Sequence, residues 1–288
     1  MKQNNNKYGL PQLKKDFPDD KSVLAFIFEA SHSYKCSCGG HYSLVKGRKQ
    51  YQCSKCRFQI APLSGTIFHK SDTPLTLWLH VIWVFSNAKS GISAKELSRQ
   101  LGVTYKTAWR ILKLIREALG QNNDKLNGEV EMDETYFGGR FKSGRYNEKQ
   151  REAIAHKSAI IGAVERNGKA KAKVSANLKA WTLGEFMRDY IESKAQLFTD
   201  ESNRYNKVAR GYNRQYVSHR KQEYAKGNIH TNTIEGLWSH FKRSTTGTHK
   251  SISKKYLQSY LDGFVFHYNN RHSDKDRFSA LVGALLSS

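Results

Sequence analysis

Cysteine is almost missing from this chain: its four copies all fall between Cys36 and Cys56. That confinement argues against the dispersed disulfide framework of a small secreted protein. Acidic residues are also short, 25 against 48 Lys and Arg, which leaves a formal net charge of +23. A field of that sign attracts polyanions, either nucleic acid or an anionic membrane. Long apolar runs are lacking as well. The longest, around Trp78–Phe85, is interrupted by His80 and is too short to span a bilayer. The opening stretch MKQNNNKYGL has no apolar core of the kind a secretory signal needs. No internal repeat and no long low-complexity segment is visible. These absences leave a soluble, cytoplasmic, nucleoid-associated protein as the expectation, with nucleic acid as partner and no membrane.

A chain of 288 residues has room for two or three small domains. We divide it into a cysteine region at 1–70, a helical region at 71–120 and an α/β region at 128–288. The polar stretch QNNDKLNG at 121–128 reads as a linker. The charge- and glycine-rich 140–157 reads as a loop.

The cysteines run Cys36-x-Cys38, then Cys53-x-x-Cys56. Thiolates in two short knuckles can converge on one tetrahedral Zn²⁺, and HYSLVKGRKQYQC between them alternates well enough for a hairpin. This is the pattern of a zinc ribbon. The first knuckle is one residue shorter than usual, so His32 or His41 is an alternative ligand. The competing reading is a patch of free structural thiols.

A second signal is SGISAKELSRQLGVTYKTAWRILKLIREALG. Ser93 and Glu96 have capping-box spacing. Leu97 and Leu101 face inward, Gly102 permits a tight turn, and Thr104 caps the next helix. Ala108, Ile111, Leu112 and Ile115 then recur at helical period. An upstream helix over Thr73–Phe85, with Pro74 in its first turn, adds Leu75, Trp78, Leu79 and Ile82 to the same core. Tyr105, Lys106, Thr107 and Arg110 are left outward, and those types suit phosphates and base edges in a major groove. This is a helix-turn-helix; the alternative is a helical hairpin with a solvated basic face.

Three acids stand out by context. Asp133 lies in GEVEMDETYFGG, where Val130 and Met132 alternate with Glu129, Glu131 and Asp133 as in a strand with one acidic face. Asp200 follows the short apolar strand of KAQLFTDES. Open α/β sheets place ligands at such strand ends, although Asp200 could simply cap the next helix. Glu235 lies in HTNTIEGLWSHFKRS, where Ile234, Leu237, Trp238 and Phe241 form an apolar stripe. Its alternative is a capping box with Asn232. A strand aspartate, a strand-end aspartate and a helical glutamate suit an RNase-H-like α/β fold. Their oxygens suit Mg²⁺, or Mn²⁺ in its place. Two such ions about 4 Å apart activate an attacking oxygen and stabilise the leaving one.

With these residues in place, the chain resembles a known family: the DDE insertion-sequence transposases that carry an N-terminal zinc ribbon, the ISXO-like group. The likeness runs through YQCSKCRFQIAPLSGTIFHKSDTPLTLW, EVEMDETYFGG, LFTDES, IHTNTIEGLWSHFKRSTTGTHKSIS and YLDGFVFHYNNR. It implies that Asp133, Asp200 and Glu235 are the magnesium ligands. The implied activity is cleavage at the ends of an insertion sequence and joining of the freed 3′-hydroxyl to target DNA. The resemblance also implies a homo-oligomer that holds two ends together. Lys242 and Arg243, shortly after Glu235, are placed to hold a phosphate backbone. The alternatives are a DNA-binding regulator without activity and an inactive relic. The shortened first knuckle is the one departure from the family pattern. The expected architecture is therefore a zinc ribbon and a helix-turn-helix preceding an RNase-H-like catalytic domain under a helical cover.

Overall fold

The computed structural model describes residues 8–120, 124–138, 157–217 and 225–286. The expected loop at 140–157 lies, Lys157 apart, outside them. The chain forms two compact units, one from 1–119 with 270–288 and the other from 120–269.

The first unit opens with helices α1 (Leu10–Asp16) and α2 (Asp20–Ser31). Asp19 starts α2 with a reciprocal capping box to Ser22, which satisfies two backbone donors at the helix start. A three-stranded antiparallel ribbon follows: β1 (Tyr42–Leu44), β2 (Tyr51–Cys53) and β3 (Gln59–Ile60). The expected hairpin is β1–β2, and the third strand extends it. Phe28 of α2 stacks on Tyr51 with ring centroids 4.0 Å apart, so aromatic packing seats the ribbon on that helix.

Helices α3 (Leu75–Asn87), α4 (Ala94–Leu101) and α5 (Tyr105–Ala118) come next. Pro74 stands at the N-cap of α3. Ser93 caps α4 by accepting from the Glu96 N–H. The Glu96 carboxylate turns to Arg99 and Gln100 instead, so only half of the expected capping box forms. Gly102 has φ 64°, a left-handed conformation that glycine tolerates best. Thr104 then caps α5 at the Thr107 N–H. Trp78, Leu97, Ala108, Ile111, Leu112 and Ile115 are all fully buried.

The last helix, α10 (Asp274–Leu286), packs on α2, α3 and α5. The buried guanidinium of Arg277 donates to the Ser86 carbonyl at 3.0 Å. The 128–288 boundary expected for the α/β region therefore moves: that region closes at 269, and the final helix completes the first unit. An amphipathic stripe shows that a helix buries one face, but not which unit supplies the cover.

The second unit is built on β4 (Glu129–Phe137), β5 (Ser158–Glu165), β6 (Ala170–Ser175), β7 (Gln196–Asp200) and β8 (Asn213–Val217). The strand order is β6-β5-β4-β7-β8. The first three strands are antiparallel, and β4, β7 and β8 are parallel. An antiparallel meander with two parallel strands added beyond its first strand is the RNase-H-like arrangement. Helices α6 (Ala180–Tyr190) and α7 (Asn203–Val208) cover one face, where Val130, Met132, Leu183, Phe186, Leu197 and Tyr205 share a core. After the short pair β9 (Ala225–Lys226) and β10 (Ile229–His230), helices α8 (Asn232–His249) and α9 (Leu257–Asn269) pack around Ile160, Val164, Ala172, Ile234, Leu237 and Phe241. The sheet is thus buried on both sides, as helices on both faces require.

Candidate active site and nucleic-acid interface

The central strand β4 explains how the acids come together. Val130 and Met132 face one core, so Glu131, Asp133 and Thr135 face α8 on the other side of the pleat. Each meets a residue of that helix. Glu131 accepts from the backbone N–H of Thr233 at 2.7 Å and of Ile234 at 3.0 Å. Asp133 Oδ2 accepts from the Trp238 indole at 3.1 Å. Thr135 Oγ1 accepts from Lys242 Nζ at 2.7 Å. Two residues along a strand advance about 6.6 Å, and four along a helix advance about 6.0 Å. A strand step of two and a helix step of four therefore stay in phase over three contacts.

Glu131 is fully buried, so the acidic face of β4 is not a solvated edge. Its carboxylate also takes Arg166 Nε at 2.8 Å, and His230 Nδ1 lies 3.2 Å away. This carboxylate supplies what α8 lacks, because the side chain of its N-cap residue, Thr231, makes no capping bond to the helix backbone. The Asn232–Glu235 capping box is not formed. Glu235 is left to accept from Thr231 Oγ1 at 3.0 Å.

Asp200 arrives through strand register. β4 and β7 pair in parallel from Glu129↔Gln196 to Glu131↔Phe198. Two residues further along each strand stand Asp133 and Asp200. One Asp200 oxygen accepts from the Ser202 N–H at 3.0 Å, and Ser202, not Asp200, stands at the N-cap of α7. Arg214 fixes this strand end, donating to the Asp200 carbonyl at 2.9 Å and to Thr199 Oγ1 at 2.8 Å.

Burial pushes the Asp133 carboxyl up to about 6, against the lowering effect of the Glu134 N–H and with the charges of Asp200 and Glu235 adding to the rise. Burial likewise raises Glu134 to about 7, although Arg204 opposes it. Acids crowded in a poorly solvated site, short of positive charge, are a donor set that a hard divalent cation would neutralise.

Sequence reasoning placed Trp238 in an apolar stripe and missed its hydrogen bond to Asp133. It also missed Gly162, which pairs with Asp133 across the β4–β5 ladder. A Cβ there would lie 2.4 Å from the Trp238 ring. No signal in the sequence links Gly162 to Asp133, because their pairing depends on the β4–β5 register. Glu131 was read only as part of an acidic face.

The four cysteines do converge. Their sulfurs all lie within 4.8 Å of one another, with Cys36–Cys38 and Cys38–Cys53 at 3.4 Å and Cys36–Cys56 at 3.7 Å. Zn–S bonds of about 2.3 Å in a tetrahedron put sulfurs about 3.8 Å apart, so the set fits that ion. The short first knuckle closes through Gly39, whose φ is 75°, and Gly40, where a Cβ would meet Cys53 Sγ at 2.5 Å. His32 stacks on Phe28 and His41 on Tyr34, and neither joins the cluster. The Tyr42 hydroxyl lowers the Cys36 thiol to about 6.

On α5, Tyr105, Lys106 and Arg110 are exposed, and Thr107 is half-buried beside the Thr104 cap. Arg110 also donates to Ser71 Oγ at 3.1 Å. Arg243 is exposed on α8. Among the described residues no helix is long and apolar enough to cross a membrane.

An RNase-H-like sheet and a helix-turn-helix in one basic chain define a protein that acts on DNA. Comparison with known proteins narrows the class. The family described as "ISXO2-like transposase domain" matches residues 125–269, half of the chain, and a family described as "HTH domain" matches 78–129. The chain belongs to the ISXO2-like transposase family, and it is a DNA transposase of the DDE type. It is 25% identical over 265 residues to the "Uncharacterized protein in transposable element ISH50" of Halobacterium salinarum, covering 84% of this chain and 87% of that one. A solved structure, "Crystal structure of the Mos1 Strand Transfer Complex", overlaps 72% of this chain and 74% of its own at 9% identity. Its TM-score of 0.27 is too low to bear on the fold.

Proposed function

We propose that Asp133, Asp200 and Glu235 form the catalytic, magnesium-binding site of strand cleavage at the ends of an insertion sequence and of strand transfer into target DNA. The observation that carries this reading is the convergence of a mid-strand, a strand-end and a helical carboxylate where burial and mutual repulsion already raise Asp133. When bound, two Mg²⁺ or Mn²⁺ ions would supply charge neutralisation to the attacking and leaving oxygens. The protein's own task is positioning. Trp238 fixes one oxygen of Asp133, the Ser202 N–H fixes one of Asp200, and Thr231 fixes one of Glu235. In cleavage, a water oxygen forms the new bond to phosphorus while the 3′-oxygen leaves. In joining, that 3′-hydroxyl attacks a target phosphate, and a target strand oxygen leaves.

Tyr105, Lys106, Thr107 and Arg110 of α5 are the proposed DNA contacts, with Lys242 and Arg243 holding the backbone near the carboxylates. Cys36, Cys38, Cys53 and Cys56 are the proposed ligands of a structural Zn²⁺. Two element ends must be held at once, so the acting species is a homo-oligomer.

The test is Asp133→Asn and Asp200→Asn. Each should lower cleavage of an element-end duplex by about a thousandfold, the ~4 kcal/mol expected when a metal carboxylate is neutralised. DNA affinity and the melting temperature should stay near wild type. An Asp133→Asn protein that cuts at the normal rate would overturn the assignment.

A further inference from the structure

Beyond Thr135, a groove of about 730 Å³ continues along the seam of β4 and α8. Tyr136, Phe137, Lys242, Thr246, Lys250 and Ser251 line it. Its near end is fixed by the Lys242–Thr135 bond of 2.7 Å, one strand step from Asp133. The lining named here carries two ammonium groups, the Phe137 ring and the hydroxyls of Thr246 and Ser251. An ammonium has three donors, and Lys242 spends one on Thr135. Phe137 shares the pleat face of Thr135 and is only half-buried; Tyr136, on the opposite face, is 42% exposed.

Lys250 supplies an independent sign of function. It has φ 61° and ψ −54°, the centre of a γ-turn closed by the Ser251 N–H on the His249 carbonyl, a conformation that is rare and strained. Strain of this kind persists mainly where a side chain is needed. No hydrogen bond or ion pair holds the Lys250 ammonium among the described residues.

We propose that this groove holds one unpaired nucleotide of the DNA strand that adjoins the cut bond. Its flanking phosphates lie on Lys242 and Lys250, and its base lies against Phe137. The volume falls within the ~300–1,000 Å³ typical of pockets for small ligands. Aromatic side chains with cations beside them take single-stranded bases by stacking and phosphates by charge. A base inside a duplex is stacked and paired, and it would have to be extruded to reach Phe137. The place of the groove relative to the cut bond rests on the catalytic reading of Asp133; its ligand chemistry does not.

Photo-crosslinking of the full chain tests this. The probe is an oligothymidylate bearing one 5-iododeoxyuridine, compared with the same base paired within a perfect duplex. Mass spectrometry should place an adduct on Phe137, with the single strand giving at least about fivefold more than the duplex. Lys250→Gly removes the ammonium with a residue that tolerates the positive φ and should lower that adduct by at least about fivefold, leaving adducts elsewhere unchanged. Thr246→Trp fills the groove and should do the same, and a thermal melt verifies that each variant is folded. No adduct on Phe137, equal yield from the duplex, or a yield indifferent to both substitutions would overturn the proposal. Crosslinking needs no cutting. An Asp133→Asn protein that still cleaves would therefore sink the catalytic reading and leave the groove standing. Adducts confined to other sites, with Asp133→Asn inactive, would sink the groove alone.

Discussion

The cysteine sulfurs lie 3.4–3.7 Å apart where their contacts are resolved and all within 4.8 Å of one another. Among the described residues no carboxylate group gathers as tightly. The cysteines come from one short ribbon, and Gly40 leaves Cys53 Sγ the room that a Cβ would take. Asp133, Asp200 and Glu235 come from two strands and a helix, and their charges oppose one another. A closed set of four thiolates suits a structural ion. An open set of carboxylates suits ions that must also take substrate oxygens, and two ions about 4 Å apart need ligands spread around them. The difference teaches that a site built to hold its metal can be complete in a few neighbouring residues. A site built to use a metal draws on the whole fold.

The sharpest way to break this contrast is Glu235→Gln. The neutral amide keeps an oxygen for Thr231 and leaves the helix start unharmed, because Glu131 supplies the capping there. Strand transfer should nonetheless collapse by about a hundredfold or more, as an amide is a far poorer ligand for a hard cation. Glu131→Ala should do the reverse in kind: it strands Arg166 and the Thr233 and Ile234 N–H groups, and stability should fall by about 3–5 kcal/mol. Equal melting losses in the two variants would erase the distinction between ligand and cap.

Next in size is Cys53→Ser. Wild-type protein purified without chelator should carry about one zinc per chain, and the variant should lose most of it. Mg²⁺-dependent cleavage of a pre-bound substrate should change far less than zinc content. If metal analysis finds no zinc in the wild type, the ribbon is not a metal site.

The smallest effect concerns pH. In metal-free protein the folded-state values of Asp133, about 6, and Glu134, about 7, stand above those of an unfolded chain. The folded state then binds more protons, so these groups cost stability as pH rises through that window, and the loss levels off above it. Mg²⁺ held by Asp133 must displace its proton, and through space its charge favours loss of the Glu134 proton next to it. The half-saturating Mg²⁺ concentration should therefore rise as pH falls below about 7, by up to about tenfold per unit for each proton displaced. Metal titrations at pH 8 and pH 6 measure it, and an unchanged half-saturation point would separate these carboxyls from the metal. Zinc content over the same interval should hardly move.

Much of this was legible in the sequence, and the reasons differ by region. The helix-turn-helix and the ribbon are local: capping residues, a left-handed glycine and knuckle spacing all act within a few residues. The strand of Asp133 and the strand end of Asp200 were legible from alternation and apolar length. Their adjacency was not, because it depends on the parallel register of β4 and β7. Glu131 and Trp238 were hidden for a related reason. Period alone says which face a residue takes, whereas a hydrogen bond between strand and helix depends on the phase between two elements. The final helix was assigned to the wrong unit because its apolar face fits any core of suitable shape.

That last helix has a consequence for synthesis. Ribosomes deliver the ribbon and α3–α5 first, and domains commonly fold in the order they emerge. Here the first unit lacks α10, with its buried Arg277, until translation has passed the entire α/β unit. The ribbon and α3–α5 emerge before the sheet, and the helix that completes their unit emerges after it, whereas the described strands of the sheet and the helices packed on it all precede residue 270. A nascent chain thus completes its catalytic half before its DNA-reading half, the reverse of their order in the message.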